Sequence, residues 1–280
     1  MSSSGRMCPE GAPVPPSDRN QAGYTLGFSA AVCVVCAVLV STAAVTLRDR
    51  QVANAELARK RNVLQATGMI TEAERPSQEE VESRFASFEV VAVDLRTGLE
   101  VPSFDLETYD ARRALAQEST SRPAPPNDAQ IARLPNHAVV YKQRDPDGRL
   151  SQLVLPIEGK GLWSTMYGFL ALGPDLKTVR GLTYYEHGET PGLGGEVDSQ
   201  RWKALWPGRQ VRNAEGQVDI AVVRGPAGPA SQDPHRVDGL SGATLTSRGV
   251  TSMLRFWLGA QGFGPYLEQL RKGDFDDSSP

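Results

Sequence analysis

The sequence has few of the residues from which metal centres and disulfide frameworks are built. It contains only three histidines and three cysteines in 280 residues. The histidines, His137, His187 and His235, are scattered without the spacing of metal ligands, so we predict no metal site. A single cysteine, Cys8, lies outside a long apolar run near the N-terminus. One cysteine cannot supply an internal disulfide framework. The small number of cysteines neither indicates nor excludes an oxidising compartment.

The sequence also lacks the usual signals of two other classes of protein. The formal net charge is -3, which argues against a nucleic-acid partner. No G-x-G-x-x-G segment follows a predicted strand, and no β-α-β alternation is visible, which argues against a nicotinamide-binding Rossmann fold. No internal repeat is visible either. The chain is therefore expected to carry its function in a domain of another type.

Charged side chains are missing altogether from residues 24–47. About 20 apolar residues are enough for a helix to span the hydrocarbon core of a membrane. The run is too long for the apolar part of a typical secretory signal. We therefore predict an uncleaved transmembrane helix over residues 24–47. Residues 1–22, rich in Ser, Pro and Gly, are predicted to be a disordered tail.

Two cysteines, Cys33 and Cys36, lie three residues apart within this predicted span. On a helix that spacing puts both on one face, which allows two interpretations. They form half of a metal or iron–sulfur site completed by another protein, or they are small apolar residues that pack against neighbouring helices. We favour packing, because an iron–sulfur cluster generally takes four thiolates and this chain cannot supply them.

The rest of the chain predicts one α+β domain over residues 48–272, followed by a C-terminal tail over residues 273–280. A helical stalk is predicted over residues 48–67, and a capping box at Ser77–Glu80 predicts the start of a second helix. The predicted strands cover residues 89–94, 138–142, 150–157, 166–172, 179–186 and 218–223. Short helices are predicted at 111–117, within a polar excursion over 102–135, and after Ser199. Strands joined by hairpins, with helices outside the run, are typical of a mainly antiparallel sheet with peripheral helices.

A short stretch near the C-terminus concentrates hydroxyl groups and small residues. Residues 238–247 spell Asp-Gly-Leu-Ser-Gly-Ala-Thr-Leu-Thr-Ser. An amphipathic helix is predicted directly after it, with Val250, Met253, Leu254, Trp257 and Leu258 on one apolar face. Thr246 or Ser247 is the predicted N-cap, and Gly259 the predicted end. A small-residue loop at the start of a helix suits a bound phosphate, because free N–H groups and the helix dipole meet there.

This stretch resembles the flavinylation motif of FMN-binding domains. In that family a flavin transferase joins FMN, through its phosphate, to the final threonine of the motif, here Thr244. Three other blocks, at residues 160–168, 189–194 and 256–259, resemble the C subunit of the sodium-translocating NADH:quinone oxidoreductase. The resemblance covers residues 26–272 and leaves out the first twenty or so residues.

The resemblance implies a set of site residues. FMN would be bound covalently to Thr244, and the other expected cofactor-binding residues are Ser241, Gly242, Ala243, Leu162, Trp163, Thr190, Leu193 and Gly194. Asp238 is expected to assist the transferase rather than the redox step. Lys160 could stabilise a reduced, anionic flavin, although a solvated surface lysine is the default.

The function implied by the resemblance is electron transfer within a multi-subunit membrane complex that oxidises NADH, reduces ubiquinone and pumps sodium outward. This chain would carry one flavin and no NADH, quinone or sodium site of its own. One alternative is the flavin subunit of the homologous ion-translocating ferredoxin:NAD oxidoreductase. The blocks at Leu162-Trp163 and at residues 256–259 favour the quinone-reducing complex over this alternative. The other is a non-redox, membrane-anchored interaction module in which the Ser-Gly-Ala-Thr sequence is only a turn.

The charges beside the predicted span conflict with the resemblance over sidedness. Five basic residues follow it closely, namely Arg48, Arg50, Arg59, Lys60 and Arg61, and only Arg6 and Arg19 precede it. The positive-inside rule would put the C-terminal side in the cytoplasm. The resemblance implies instead an inner-membrane anchor with a periplasmic flavin domain. We follow the resemblance, because large domains translocate despite local charge.

Overall fold

A long first helix, α1 (Arg19–Ala66), opens the part of the chain that the computed structural model describes, which comprises residues 19–71, 73–106 and 108–276. The predicted N-terminal tail falls outside these residues up to position 18, and the last four residues of the predicted C-terminal tail fall outside them as well. The chain divides between Ala55 and Glu56 into two compact units.

The first unit contains the apolar part of α1. Among the described residues, one helix, Gly23–Ala66, is long and apolar enough to cross a membrane, with a mean hydropathy of 2.5 in its most apolar window. Its side chains over residues 23–55 are exposed, including the free thiols of Cys33 and Cys36. A continuous apolar surface of this kind fits a single-pass anchor.

The second unit begins with the end of α1, which stops where the sequence predicts. The chain leaves the helix at Gly68, whose φ of 75° is the left-handed conformation that glycine adopts most readily. Helix α2 (Gln78–Phe85) follows. Its N-cap is Ser77, and the predicted capping box with Glu80 is present in both directions. The side chain of Val81, within this helix, is fully buried.

The centre of this unit is a five-stranded sheet in the order β1-β4-β5-β6-β7, with every neighbouring pair antiparallel. Its strands are β1 (Phe88–Asp94), β4 (His137–Arg144), β5 (Leu150–Lys160), β6 (Thr165–Leu172) and β7 (Val179–Glu186). The other elements are α3 (Ala111–Ala116), β2 (Ser121–Pro123), β3 (Arg133–Pro135), a 3-10 helix (Gly194–Asp198), α4 (Gln200–Lys203), β8 (Ala221–Val222), β9 (Arg236–Val237), α5 (Thr244–Leu258) and α6 (Gly264–Asp276). The predicted α+β class with a mainly antiparallel sheet and peripheral helices is confirmed.

Both faces of the sheet are covered by helices. One face packs against α5, and its core includes Leu155, Leu170 and Trp257. The other face packs against the end of α1 and against α2 through a smaller cluster around Leu64 and Phe169. Residues alternate between these two clusters along β6, as the two-residue period of a strand requires.

Two parts of the chain depart from the predicted strands. The strand predicted over residues 218–223 is reduced to β8, which pairs in parallel with β9. Val218 makes only an isolated bridge with Arg212. The polar excursion over residues 102–135 contains the predicted helix α3, but it also forms the short β2–β3 pair. Both differences come from pairing between short strands separated by irregular chain, which local sequence patterns do not reveal.

Helix α5 approaches the end of β5 more closely than a side chain would allow. A Cβ at Gly249 would lie 2.3 Å from the backbone oxygen of Lys160 and 3.3 Å from Cα of Gly161. Only glycine permits this approach of backbone to backbone. The contact places the first turns of α5 beside the loop that follows β5.

We therefore expect Gly249→Ala to lower the free energy of unfolding by about 1–3 kcal/mol, because the methyl group would push α5 away from β5. Gly273→Ala is the matched control, since it adds the same methyl group in helix α6, where nothing lies within 4 Å. The control should be neutral or stabilising by up to about 1 kcal/mol, because alanine is the better helix former. Denaturant unfolding of the detergent-solubilised protein measures both. Equal effects of the two substitutions would contradict the close packing.

Candidate functional site

The candidate site begins at the N-terminus of α5. The helix starts at Thr244 with Ala243 as its N-cap, and no side chain caps it. The predicted caps, Thr246 and Ser247, are therefore wrong by three or four positions. The reason is that both hydroxyls have other partners: that of Thr246 donates to Glu189 Oε2 at 2.6 Å, and that of Ser247 accepts from the amide of Leu240 at 3.1 Å.

The hydroxyls of the motif differ sharply in accessibility. Ser241 and Thr244 are exposed, whereas Thr246 is fully buried. Gly242 between them has a φ of 71°, so the loop makes a left-handed turn just before the helix. Thr244 thus presents an exposed hydroxyl at the first position of a 15-residue helix whose end lacks a side-chain cap.

A buried carboxylate joins this helix to two loops. Glu189 is only 5% exposed. Its Oε1 accepts from the amides of Trp163 at 2.9 Å and Ser164 at 3.3 Å. Its Oε2 accepts from the amide of Leu162 at 3.1 Å and from the Thr246 hydroxyl. One side chain therefore connects the loop after β5, its own loop after β7 and the first turn of α5.

The same hydrogen bonds keep Glu189 ionised. Burial by itself would raise the pKa of this carboxyl, because it disfavours the charged form. The bonds from the Thr246 hydroxyl and from the amides of Trp163, Leu162 and Ser164 outweigh burial and lower the pKa below its ordinary value of 4.5. The group is accordingly a carboxylate at neutral pH.

Exposed apolar side chains surround this arrangement. Leu162 is 40% exposed, Trp163 66%, Leu193 45% and Leu245 53%. The other three tryptophans of the chain are buried, so the exposure of Trp163 is unusual within this molecule. A Cβ at Gly242 would lie 2.8 Å from Cδ2 of Leu193, which places that leucine against the motif. Exposed apolar patches are typical of binding sites.

Most of the predicted cofactor-binding residues lie in this one region. Leu162 and Trp163 are held through Glu189, and Gly194 packs so tightly that a Cβ there would lie 2.6 Å from Thr246 Oγ1 and 2.8 Å from Glu189 Oε2. Thr190 is exposed on the same loop, where its carbonyl accepts from the amides of Leu193 and Gly195.

Asp238 and Lys160 have local partners. Asp238 Oδ1 accepts from the amide of Ala227 at 2.8 Å, and its backbone carbonyl accepts from Trp202 Nε1 at 2.9 Å. Lys160 Nζ donates to the carbonyl of Trp163 at 3.1 Å. Asp238 thus holds a neighbouring loop, and Lys160 supports the turn that carries Trp163. In the described part of the chain, no group of three or more His, Cys, Asp or Glu side chains could hold a metal ion.

Sequence reasoning missed Glu189 as a functional residue. It identified the loop over residues 189–194 by its glycines and by Thr190 and Leu193, and it gave the leading acid no role. The four donors that Glu189 binds lie 25 to 57 residues away in the chain. No local pattern predicts such contacts. The only signal was the position of a lone acid at the start of a glycine loop that is otherwise uncharged as far as Gly195.

Comparison with known proteins identifies relatives of this chain. Residues 161–259 match the family of FMN-binding domains. The chain is 43% identical over 261 residues to the C subunit of the Na(+)-translocating NADH-quinone reductase of Yersinia pestis, covering 92% of this chain and 96% of that protein. It is 43% identical over 254 residues to the same subunit of Pseudomonas aeruginosa, covering 89% and 96%. The crystal structure of Shewanella oneidensis NqrC superposes with a TM-score of 0.70 at 36% identity, over 77% of this chain and 97% of that one.

The ionisation of Glu189 predicts an acid-dependent loss of stability. A group whose pKa is lowered by folding contributes stability above its unfolded pKa, and this contribution is lost as the pH falls through the folded pKa. We expect Glu189→Gln to cost about 2 kcal/mol near pH 7, the contribution of a hydrogen bond to a charged group. The cost should shrink below pH 4.5, the ordinary pKa, because the unfolded wild type begins to take up a proton there, and it should be lost as the pH falls through the lowered pKa of the folded state.

The measurement is the free energy of unfolding of wild type and variant between pH 7 and pH 3. Glu196→Gln is a suitable control, because Glu196 is exposed on the neighbouring 3-10 helix. A cost for Glu189→Gln that stays constant to pH 3 would show that the charge of Glu189 does not stabilise the site.

Proposed function

The chain belongs to the NqrC family, the C subunits of the Na+-translocating NADH-quinone reductase, and from this premise we propose that it is the FMN-carrying electron-transfer subunit of such a membrane complex. The name of that family supports a role as one subunit of a sodium-translocating enzyme. The match to FMN-binding domains supports FMN as the cofactor. When bound, the flavin supplies one-electron transfer chemistry, and the protein supplies position and electrostatics.

The observation that carries the proposal is the exposed hydroxyl of Thr244 at the uncapped start of α5, bordered by exposed apolar side chains. FMN needs a seat for its phosphate and an apolar surface for its ring system. Free N–H groups at a helix N-terminus suit a phosphate. Leu162, Trp163 and Leu193 offer the apolar surface. The residues present therefore fit the group.

We further propose that the attachment is covalent, through a phosphoester to the Thr244 hydroxyl. Ser241 and Thr246 are the other hydroxyls of the motif, and they differ from Thr244 in place. Ser241 lies in the loop ahead of the helix, and Thr246 is buried and engaged with Glu189. A covalent tether would prevent loss of the flavin from so open a site.

The remaining cofactor-binding residues are assigned by where they lie. Gly242 and Ala243 form the turn that leads into Thr244, and Gly194 lets the loop after β7 approach Thr246 closely. Thr190 contributes the carbonyl that holds that loop. Asp238 is assigned to recognition by the flavin transferase, since it lies half-buried six residues ahead of the acceptor.

Replacing Thr244 tests the attachment directly. Thr244→Val keeps the shape of the side chain and removes the hydroxyl. When the chain is co-expressed with a flavin transferase, the wild type should give a band that fluoresces under ultraviolet light on a denaturing gel, and Thr244→Val should give none. Ser241→Ala, which removes the other exposed hydroxyl, is the matched control and should keep most of the signal. A fluorescent band that survives Thr244→Val would place the flavin elsewhere.

Within the complex, we propose that electrons from NADH pass through the assembly to ubiquinone while sodium is pumped out of the cytoplasm. The relatives are named for the NADH-quinone reductase and sodium translocation of the whole enzyme. The NADH, quinone and sodium sites are assigned to the partner subunits. Co-purification of the full complex with cofactor analysis tests this division of labour.

We also propose that residues 24–47, within the helix over residues 23–66, anchor the chain in the inner membrane, with the flavin domain on the periplasmic side. The length and hydropathy of that helix support an anchor. Sidedness can be tested with Glu215→Cys in a chain that also carries Cys8→Ser, since Glu215 is exposed in the second unit. A membrane-impermeant thiol reagent should label this variant in intact spheroplasts. The wild type, whose Cys8 precedes the span, should be labelled only after permeabilisation, and the reverse pattern would place the domain in the cytoplasm.

A further inference from the structure

A buried negative charge without a cationic partner lies inside the candidate site. The carboxylate of Glu189 accepts four hydrogen bonds, from three backbone amides and one hydroxyl. In the described part of the chain, no lysine, arginine or histidine forms an ion pair with it. Its charge is therefore stabilised by dipoles and is not neutralised by a neighbouring cation.

The atoms that touch this carboxylate belong to the walls of the proposed flavin site. Two of the amides are those of Leu162 and Trp163, whose side chains form the exposed apolar surface. The hydroxyl is that of Thr246, two residues after the proposed acceptor Thr244. Gly161 and Gly194 pack so closely on the carboxylate that a Cβ at either would lie within 2.8 Å of one of its oxygens. The charge is thus enclosed directly behind the site.

From this geometry we propose that Glu189 is a positioning residue of the flavin site, which also supplies a fixed negative charge beside the flavin and lowers its midpoint potential. The inference rests on the proposed function. It has two parts, one mechanical and one electrostatic, and each follows from the same four hydrogen bonds.

The mechanical part concerns the loop that carries Leu162 and Trp163. Trp163 is 66% exposed and Leu162 40%, so packing alone does not fix these side chains. Their amides are instead fixed by the carboxylate, and a hydrogen bond to a charged group is stronger than one between neutral groups. Lys160 holds the other side of the same turn through the carbonyl of Trp163.

The electrostatic part concerns the electron that the flavin accepts when it is reduced. Reducing a group beside a fixed anion is opposed by Coulombic repulsion, and a partly buried charge is screened much less than an exposed one. The carboxylate should therefore make the flavin harder to reduce than it would be beside a neutral side chain. Lys160 lies on the same turn with the opposite charge, so the potential reflects both groups.

The experiment compares wild type, Glu189→Gln and Glu196→Gln as full chains flavinylated by co-expression with the transferase. Glu189→Gln removes the buried charge at nearly constant size, and Glu196→Gln removes an exposed charge seven residues away. Spectroelectrochemical titration at fixed pH and ionic strength gives the midpoint potential of the bound flavin. The proposal expects a more positive potential for Glu189→Gln and an unchanged one for Glu196→Gln. An unchanged or more negative potential for Glu189→Gln would overturn the electrostatic part.

A second measurement uses the chain expressed without transferase. Amide hydrogen exchange of residues 162–164 should be at least about tenfold faster in Glu189→Gln than in wild type, which corresponds to one lost hydrogen bond to a charged group. Amides in the sheet, such as that of Leu170, should keep their protection. Unchanged exchange at residues 162–164 would overturn the mechanical part.

The two measurements separate this proposal from the proposed function. Wild type without flavin after co-expression would refute the covalent assignment, and the exchange measurement would still decide whether Glu189 holds the loop. A wild type with flavin, combined with equal potentials and equal exchange rates in the variant, would refute only the role of Glu189. If Glu189→Gln takes up no flavin, faster exchange at residues 162–164 supports the positioning role of Glu189, and unchanged exchange there overturns it.

Discussion

The carboxylate of Glu189 is the interaction on which the arrangement of the site depends. It binds donors that lie 25 to 57 residues from it in sequence, through four hydrogen bonds to one ionised group. A buried charge is stable only when its hydrogen-bonding capacity is used. The loops after β5 and β7 and the first turn of α5 are thus bound to a common centre. The proposed tether, Thr244, is exposed and lies two residues before Thr246, whose hydroxyl binds this carboxylate.

In this region, the residues that form the core differ from the exposed apolar residues of the candidate site. The sheet and the buried face of α5 form a core that includes three of the four tryptophans. The fourth, Trp163, is turned outward with Leu162 and Leu193. Exposed apolar patches of this kind usually mark binding surfaces, and a bound flavin ring would cover this one. Close contact at Gly249 brings α5 near enough to β5 for both to contribute to one site.

Local signals in the sequence predicted most of the fold. The capping box at Ser77 and the apolar face of α5 each depend on a few neighbouring residues, and both are present in the structure. The predictions that failed depended on distant partners. Thr246 has the side chain of a good N-cap, but its hydroxyl is taken by Glu189 from another loop. The parallel pairing of β8 with β9 and the role of Glu189 were likewise set by tertiary contacts.

The central claim is that one threonine at the start of α5 carries FMN through its phosphate. Peptide mass spectrometry of the chain purified from its native membrane tests this most directly. The account predicts that the peptide containing Thr244 carries the mass of a phosphoester-linked FMN and that fragmentation places it on that residue. An unmodified mass throughout, or the same modification on Ser241 or Thr246, would contradict it.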